Sequence, residues 1–308
     1  MEASLRNRLT FGPIMLAGLA AVLVLDHNLQ GLTREWMKAT FTGTQRGVGG
    51  IGILFLLILI LPLATREIGV LFAAERVRPY PWIAGAGSAA LVVHAFLTQF
   101  PPFKPIAASV LAFIVAFIPL LAALRRAWDK QTQEAITRMA GTVLAALYLG
   151  GLAWFLMAIR VKEGTRSGFR GTTAVVLMTL LMVKFTDIGA YFGGRAFGRH
   201  KLIPWLSPGK TWEGLLFGLL TAGLVGVFFA RYHGEAGIPD NWTWHRGFLF
   251  GVVLGGIGQL GDLLESLMKR DAEVKDSGRL VPGFGGVLDI IDSPLLAAPF
   301  AYLMFSLF

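Results

Sequence analysis

The C-terminal part of the chain gathers carboxylates between apolar segments. Asp262, Glu265 and Ser266 stand at i, i+3 and i+4, so they share one face of a predicted helix. Asp289 and Asp292 stand three residues apart at the start of the next apolar segment. Carboxylates that converge from two helices suit Mg²⁺, which proteins bind through a few carboxylates together with substrate phosphates. The pattern therefore predicts a metal site at Asp262, Asp289 and Asp292.

A glycine-rich segment, VKDSGRLVPGFGG, separates these two helices, and its glycines and Pro282 predict a loop. Glycines let backbone N–H groups approach an anion closely. The bases Lys269, Arg270 and Lys275 lie at hand to bind phosphates. Two plainer interpretations stay open: a solvated loop whose acids favour the helix dipole, and a Glu265 that merely pairs with Lys269 four residues on.

A second polar segment, KFTDIGAYFGGRAFGRHKLIPWLSPGKTWEG, follows an earlier apolar run. It starts with an acid, Asp187, and continues with the bases Arg195, Arg199, His200, Lys201 and Lys210. Its GKT is not a P-loop, because Pro204 stands where that motif needs glycine. We expect an anion-binding loop that faces the first polar segment. Lys184 is placed to neutralise Asp187, which would compete with a metal there.

The composition predicts a membrane protein. Hydrophobic residues make up 55% of the chain and charged residues 15%, against about a quarter charged in soluble domains. The predicted fold class is all-α, a polytopic integral membrane protein with about nine transmembrane helices, because the apolar runs are long and do not alternate as barrel strands do. These runs lie near 11–25, 48–64, 82–97, 106–124, 138–158, 172–191, 214–231, 246–268 and 287–307. With no cysteine, disulfides and thiolate metal sites are excluded.

One continuous membrane domain is expected, with N-terminal helices in 1–137 and the catalytic region in 138–308. Most Lys and Arg fall on one side if the N-terminus is cytoplasmic, which predicts an inner (cytoplasmic) membrane protein whose polar segments face the cytoplasm. The loop expected to carry Arg160, Lys162, Arg166 and Arg170 on the opposite side argues against this orientation. A net charge of +9 then indicates basic loops at an anionic leaflet. Nucleic acid is not an expected partner, since no soluble binding module is present.

The two polar segments together resemble motifs of the phosphatidate cytidylyltransferases, or CDP-diacylglycerol synthases. The family's signature has the form S-x-x-K-R-x₄-K-D-x-G-x₃-P-G-H-G-G-x-x-D-R-x-D. This chain matches it at Ser266, Lys269, Arg270, Lys275, Asp276, Gly278, Pro282, Gly283, Gly285, Gly286, Asp289 and Asp292. The earlier segment is similar to the family's D-x-G-A-Y and SPGKTWEG motifs. Two positions depart: Phe284 replaces a His and Ile290 an Arg.

The resemblance implies that CTP and phosphatidate react to give CDP-diacylglycerol and pyrophosphate, with Mg²⁺ and a monovalent cation such as K⁺. The catalytic residues it implies are Asp262, Lys269, Arg270, Lys275, Asp276, Asp289 and Asp292. The substrate-binding residues it implies are Asp187, Arg195, Lys201, Ser207, Lys210, Ser266, Gly283, Gly285 and Gly286. The expected partners are CTP, phosphatidate and membrane lipid, with a second copy of the chain as a further candidate.

Three rival functions are weighed against this one. A catalytically silent relative with a lipid-binding or assembly role is favoured by Phe284 and Ile290. A transporter predicts a polar path across several helices, whereas the first five apolar runs carry almost no charge. A CDP-alcohol phosphotransferase needs D-G-x-x-A-R, which the sequence lacks.

Overall fold

The computed structural model describes residues 2–42, 44, 46–162, 169–232, 242–278 and 280–307. Helices dominate, as predicted for an all-α protein. They are α1 (Glu2–Leu32), α2 (Arg34–Thr40), α3 (Ile51–Ala74), α4 (Pro81–Leu97), α5 (Ala107–Trp128), α6 (Ala135–Ala146), α7 (Leu152–Val161), α8 (Phe169–Phe197), α9 (Trp212–Arg231), α10 (Trp244–Asp271) and α11 (Leu288–Leu307). A 3₁₀ turn, Lys104–Ile106, precedes α5, and a π-helical segment, Leu147–Gly151, joins α6 to α7.

Eight helical segments among the described residues are long and apolar enough to cross a membrane. They are Thr10–Leu32, Ile51–Ala74, Lys104–Trp128, Ala135–Val161, Thr172–Phe197, Trp212–Arg231, Trp244–Asp271 and Leu288–Leu307. The 17-residue α4 is apolar but shorter. With α4, these segments overlap the nine predicted runs one by one, which confirms a multi-pass membrane protein.

The chain divides into two compact units. The first comprises Met1–Val161 with Asp271–Ile290, and the second comprises Lys162–Arg270 with Ile291–Phe308. The segment Asp271–Ile290, which contains the glycine loop, therefore groups with the N-terminal helices. The boundary expected at residue 137 stays a prediction.

The first unit contains a buried ion pair. The Nε of Arg160 lies 2.6 Å from Oδ2 of Asp26, and both side chains are fully buried. Nη2 of Arg160 donates to Oε1 of Gln30 at 2.7 Å, and the N–H of Gly52, in the first turn of α3, donates to Oδ1 of Asp26 at 2.8 Å. Charges away from water must be paired in this way to be tolerated. The pair therefore ties α1, α7 and the start of α3 together.

Placing Arg160 in a loop outside the membrane was wrong, because the residue lies within α7 and is buried. Only Lys162 follows the end of α7 among the described residues at this point. Arg166 and the side chain of Arg170 lie outside the described residues. A charge that the orientation argument counted against a cytoplasmic N-terminus is thus a structural charge within a helix.

The second unit is built on close helix packing. A Cβ at Gly226 of α9 would lie 1.9 Å from the carbonyl oxygen of Gly247 of α10. One at Gly218 would lie 2.7 Å from the carbonyl oxygen of Thr186 of α8. Without side chains at these contacts the helix backbones approach closely, as small residues allow in membrane bundles. This packing brings polar residues of α8 and α10 within reach of each other.

An antiparallel hairpin joins α8 to α9 where the sequence predicted only a loop. Strand β1 (Lys201–Ile203) pairs with β2 (Ser207–Thr211), with Lys201 opposite Thr211. The Oγ1 of Thr211 accepts the N–H of Gly214 at 3.1 Å and so caps α9. The hairpin thereby fixes Lys210, one residue before the cap, relative to α9.

Candidate active site

Three carboxylates of the second unit lie together. Asp262 and Glu265 of α10 and Asp292 of α11 each offer an oxygen, and these oxygens all lie within 4.8 Å of one another. Glu265 is 1% and Asp292 2% exposed, whereas Asp262 is half-buried. α11 can come this close because Gly261 has no side chain. A Cβ there would lie only 2.9 Å from the Cα of Ser293. We refer to Asp262, Glu265 and Asp292 as the carboxylate cluster.

The cluster fits a divalent cation. The Oδ2 of Asp292 is buried and meets no hydrogen-bond donor among the described residues. A buried charged oxygen without a partner is costly, and like charges at this spacing add to that cost. Oxygen ligands on opposite sides of one Mg²⁺ lie about 4 Å apart, so small side-chain rotations suffice to bring these three onto one ion.

Two lysines border the cluster. The Nζ of Lys210, carried by β2, forms an ion pair with Oδ2 of Asp262. The Nζ of Lys269 lies 3.0 Å from Oε2 of Glu265, the i,i+4 pairing that the sequence predicted as the plain interpretation. A lysine ammonium has three donors. Each amine can therefore contact a carboxylate and still donate to a phosphate placed beside it.

A cavity of about 200 Å³ opens beside these residues. It is lined by Asp187, Ala190, Tyr191, Leu202, Gly209, Lys210, Thr211, Gly214, Leu215 and Gln259. Gln259 donates from Nε2 to Oδ1 of Asp187 at 2.7 Å, and the Nζ of Lys184 lies 3.9 Å from the other carboxylate oxygen. Lys184 is thus placed to offset the charge of Asp187, as expected. Lys210 belongs to both the cavity wall and the border of the cluster.

The glycine loop, residues 277–288, belongs to the first unit. Its end and its start are both held by Oδ2 of Asp289, which accepts the N–H of Gly286 at 2.7 Å and the N–H and Oγ of Ser277 at 3.0 and 2.9 Å. Gly285 has φ +95°, and a Cβ there would lie 2.4 Å from this oxygen, so glycine is required. Asp289 therefore has a structural role, and its assignment as a metal ligand stays a prediction.

Two of the glycine amides predicted for phosphate contact already have partners inside the loop. Besides Gly286, the N–H of Gly285 donates to the carbonyl of Val281 at 3.1 Å. Gly283 has φ +86°, which closes the tight turn before them. Lys275 and Asp276, which flank the loop, have exposed side chains. Solvent or substrate can therefore reach this flank more readily than the glycine amides.

The remaining predicted residues lie on the hairpin and helix ends of the second unit. Arg270 approaches the carbonyl of Leu206 at 3.4 Å, Lys201 donates to the carbonyl of Pro208 at 2.7 Å, and Arg195 donates to the hydroxyl of Tyr191 at 3.1 Å. Ser207 begins β2, and Ser266 is half-buried next to Glu265 on α10. Their roles toward a substrate stay predictions.

Sequence reasoning missed two polar residues. Gln259 stands three positions before Asp262 in an apolar helix, and this spacing was a signal for a shared face. Glu67 stands in α3, and its partners lie more than two hundred residues away along the chain. A sequence pattern can indicate that such an acid is unusual, but it cannot identify a partner so distant.

The model of the cytidylyltransferase family matches residues 31–308. The chain belongs to the cytidylyltransferase family. Its match thus covers the carboxylate cluster, the hairpin, the glycine loop and Glu67.

Within the family the chain is similar to several phosphatidate cytidylyltransferases. The one from Haemophilus influenzae is 43% identical over 147 residues, which cover 47% of this chain and 50% of that protein. The one from Bacillus subtilis is 38% identical over 165 residues, covering 54% and 57%. The one from Synechocystis sp. is 30% identical over 268 residues, covering 79% and 85%. The chain thus matches about half the length of the first two relatives and most of the third.

Proposed function

We propose that this member of the cytidylyltransferase family is a phosphatidate cytidylyltransferase. A phosphate oxygen of phosphatidate attacks the α-phosphorus of CTP, the bond from that phosphorus to the bridging oxygen breaks, and pyrophosphate leaves with CDP-diacylglycerol as the lipid product. The observation that carries the proposal is the carboxylate cluster, with its donorless Asp292 oxygen, beside the amine of Lys210. The names of the similar proteins support the same reaction.

Asp262, Glu265 and Asp292 would hold Mg²⁺, which when bound neutralises charge on phosphate oxygens. Glu265 thereby joins the proposed ligands beside Asp262 and Asp292, while Asp289 is tested separately below. A monovalent cation such as K⁺ stays in the proposal on the family resemblance alone. The reaction needs no side-chain nucleophile, because the attacking oxygen is the lipid's own.

The lysines would position the phosphates. Lys210 and Lys269 lie at the cluster, each with an ammonium group that has three donors, and such fixed positive charge stabilises a phosphoryl-transfer transition state most where water is excluded. The cavity bordered by Asp187 and Gln259 would receive part of the nucleotide. Lys275, exposed beside the glycine loop, would contact phosphate from its flank.

The proposed orientation puts the site at the cytoplasmic face of the inner membrane, where CTP is present. Because the chain has no cysteine, Lys201→Cys and Lys275→Cys each supply a single thiol. We expect both to react with a membrane-impermeant maleimide only after the cytoplasmic face is opened. Labelling from the periplasmic face in intact cells would overturn this orientation.

A turnover assay tests the reaction directly. Purified protein in mixed micelles with phosphatidate should convert labelled CTP into a lipid-soluble cytidine product, with an equal amount of pyrophosphate. Chelation of Mg²⁺ should stop turnover, and restored Mg²⁺ should recover it. A folded protein that forms no CTP-dependent product at any Mg²⁺ concentration would overturn the proposal.

A catalytically silent lipid-binding relative is the second candidate. It is favoured by Phe284, which stands in the family's His position and packs against α1: a Cβ at Gly12 would lie 3.4 Å from its Cζ. A phenyl ring in that place serves packing and offers no hydrogen bond. Binding of phosphatidate without turnover would select this candidate.

A further inference from the structure

Glu67 is a half-buried acid in the C-terminal third of α3, an apolar helix long enough to cross a membrane. It lies on the face of α3 that also carries Ala64 and Leu71, which are 0% and 3% exposed. An ionisable residue at such a position needs partners and calls for a functional explanation. Its partners belong to the same compact unit and lie at the far end of the chain.

The carboxylate of Glu67 holds the start of α11. Oε1 accepts the N–H of Val287 at 3.0 Å, and Oε2 accepts the N–H of Leu288 at 2.8 Å. N–H groups at a helix N-terminus have no partner within the helix, and the helix dipole favours a negative charge there. A side chain of α3 thus provides the cap that the loop preceding α11 does not provide for itself.

Ser277, the first residue of the glycine loop, lies beside the same carboxylate. The Oγ of Ser277 lies 3.3 Å from Oε2 of Glu67 and 2.9 Å from Oδ2 of Asp289. A hydroxyl has one hydrogen, so Ser277 donates it mainly to Asp289, the nearer acceptor, and only contacts Glu67. Asp289 therefore fixes both ends of the loop, and Glu67 holds its C-terminal end from α3.

The loop is shaped around Glu67. A Cβ at Gly278 would lie 2.5 Å from Oε1, and one at Gly286 would lie 2.5 Å from Oε2. Neither position can carry a side chain without displacing the carboxylate. Two loop glycines thus serve close approach to a protein anion.

We infer that Glu67 is a positioning residue for the glycine loop. It accepts the N–H groups of Val287 and Leu288, holds the start of α11 against α3 and thereby sets the place of Asp289. It acts through these groups and contacts no substrate in this assignment. Its contribution to turnover rests on the proposed function, whereas its hold on the loop does not.

Hydrogen–deuterium exchange tests the hold on the loop without any assay of activity. Glu67→Gln keeps the size of the side chain but turns an NH₂ group toward the N–H of Val287 or Leu288. We expect the amides of Val287 and Leu288 to exchange at least about tenfold faster, because they lose a charged acceptor. Glu67→Asp, shorter but still charged, should give an intermediate increase. Glu75→Gln, exposed just past the end of the same helix, is the matched control and should exchange like the parent.

Turnover tests the consequence for the reaction. Glu67→Gln should lower kcat by about tenfold or more, with a smaller change in KM for CTP and an unchanged Mg²⁺ requirement. If the loop amides of both Glu67 variants exchange at the rate of the parent protein, the assignment would be overturned. If Glu67→Gln exchanges faster but turns over as fast as the control Glu75→Gln, the link to catalysis would be overturned. A parent without CTP-dependent product would overturn the proposed function, and the exchange result would still decide the role of Glu67.

Discussion

The acids of the two compact units have opposite surroundings. In the first unit Asp26, Glu67 and Asp289 each accept hydrogen bonds from named donors, an arginine or backbone N–H groups. In the second unit the carboxylate cluster crowds three acids within 4.8 Å, and the Oδ2 of Asp292 meets no donor in the described parts of the chain. Acids that accept hydrogen bonds from the backbone or from a buried arginine stabilise the fold, whereas the crowding in the cluster, which its two bordering lysines offset only in part, suits the binding of a cation.

This difference separates the effects of mutation. Removing an acid or its donor in the first unit leaves a buried group unpaired, so stability falls. Removing the charge of Asp292 from the cluster relieves repulsion between like charges and takes away a proposed ligand, so we expect activity to fall while stability holds. Variants in each unit, measured for both stability and activity, test that separation.

Breaking the buried ion pair should have the largest effect. Arg160→Met leaves the fully buried Asp26 carboxylate with only backbone donors, at a cost of about 3–5 kcal/mol. Thermal unfolding in detergent should show a clearly lower midpoint. The matched control is Arg125→Met, because Arg125 pairs with Asp129 at the surface, where such pairs contribute at most about 1 kcal/mol.

A double variant sharpens this result. Asp26→Leu with Arg160→Met removes both charges, so part of the lost stability should return. Recovery should be incomplete, because the N–H of Gly52 loses its acceptor as well. Equal midpoints for Arg160→Met and Arg125→Met would contradict a structural role for the pair.

Asp292→Asn should nearly abolish turnover without unfolding the protein. The change keeps the side chain's size and removes the charge that no donor balances. We expect a loss of at least about 100-fold in kcat, or about 2.7 kcal/mol on the barrier, with an unfolding midpoint at or above that of the parent. Asp271→Asn, exposed at the end of α10, is the control. Turnover within about threefold of the parent would remove Asp292 from the metal site.

Asp289 and Asp292 stand one helical turn apart on α11, and a Mg²⁺ titration distinguishes their roles. Asp292→Asn should raise the Mg²⁺ concentration needed for half-maximal turnover. Asp289→Asn should lower kcat by about tenfold through a loosened glycine loop, with the Mg²⁺ requirement unchanged. An equal rise in this Mg²⁺ concentration in both variants would support Asp289 as a metal ligand, as the sequence predicts.

Much of this organisation could be predicted from the sequence because its causes are local. Apolar runs of sufficient length predict membrane helices, and the i,i+3 spacing of Asp262 and Glu265 predicts a shared face. Two details escaped for a physical reason. The hairpin at 201–211 is too short for a strand pattern, and α1 continues past residue 25 with Asp26 inside the helix, where it is paired with the distant Arg160.

The site itself could be predicted only in part, because its partners are brought together by packing. Lys210 meets Asp262 only once the hairpin folds back, and Glu67 meets Val287 only once α3 and the loop pack. A pattern of types and spacings identifies which residues are unusual. It does not reveal that Glu265 lies with Asp262 and Asp292 while Asp289 accepts backbone N–H groups of the glycine loop, because packing decides both.

The smallest expected effect concerns the two departures from the family signature, Phe284 and Ile290. Both are half-buried in the first unit, and Phe284 packs against α1 near Gly12. Phe284→His with Ile290→Arg would add hydrogen-bond donors worth on the order of 1–3 kcal/mol at the transition state. Lost packing offsets part of that gain, since a half-buried aromatic ring contributes on the order of 1 kcal/mol. We therefore expect kcat to rise about fivefold, the lower end of that range, while the lost packing lowers the unfolding midpoint slightly. The single variants show which substitution provides the gain, and turnover at or below the parental rate would show that the loop functions with its own side chains, held by Asp289 and Glu67.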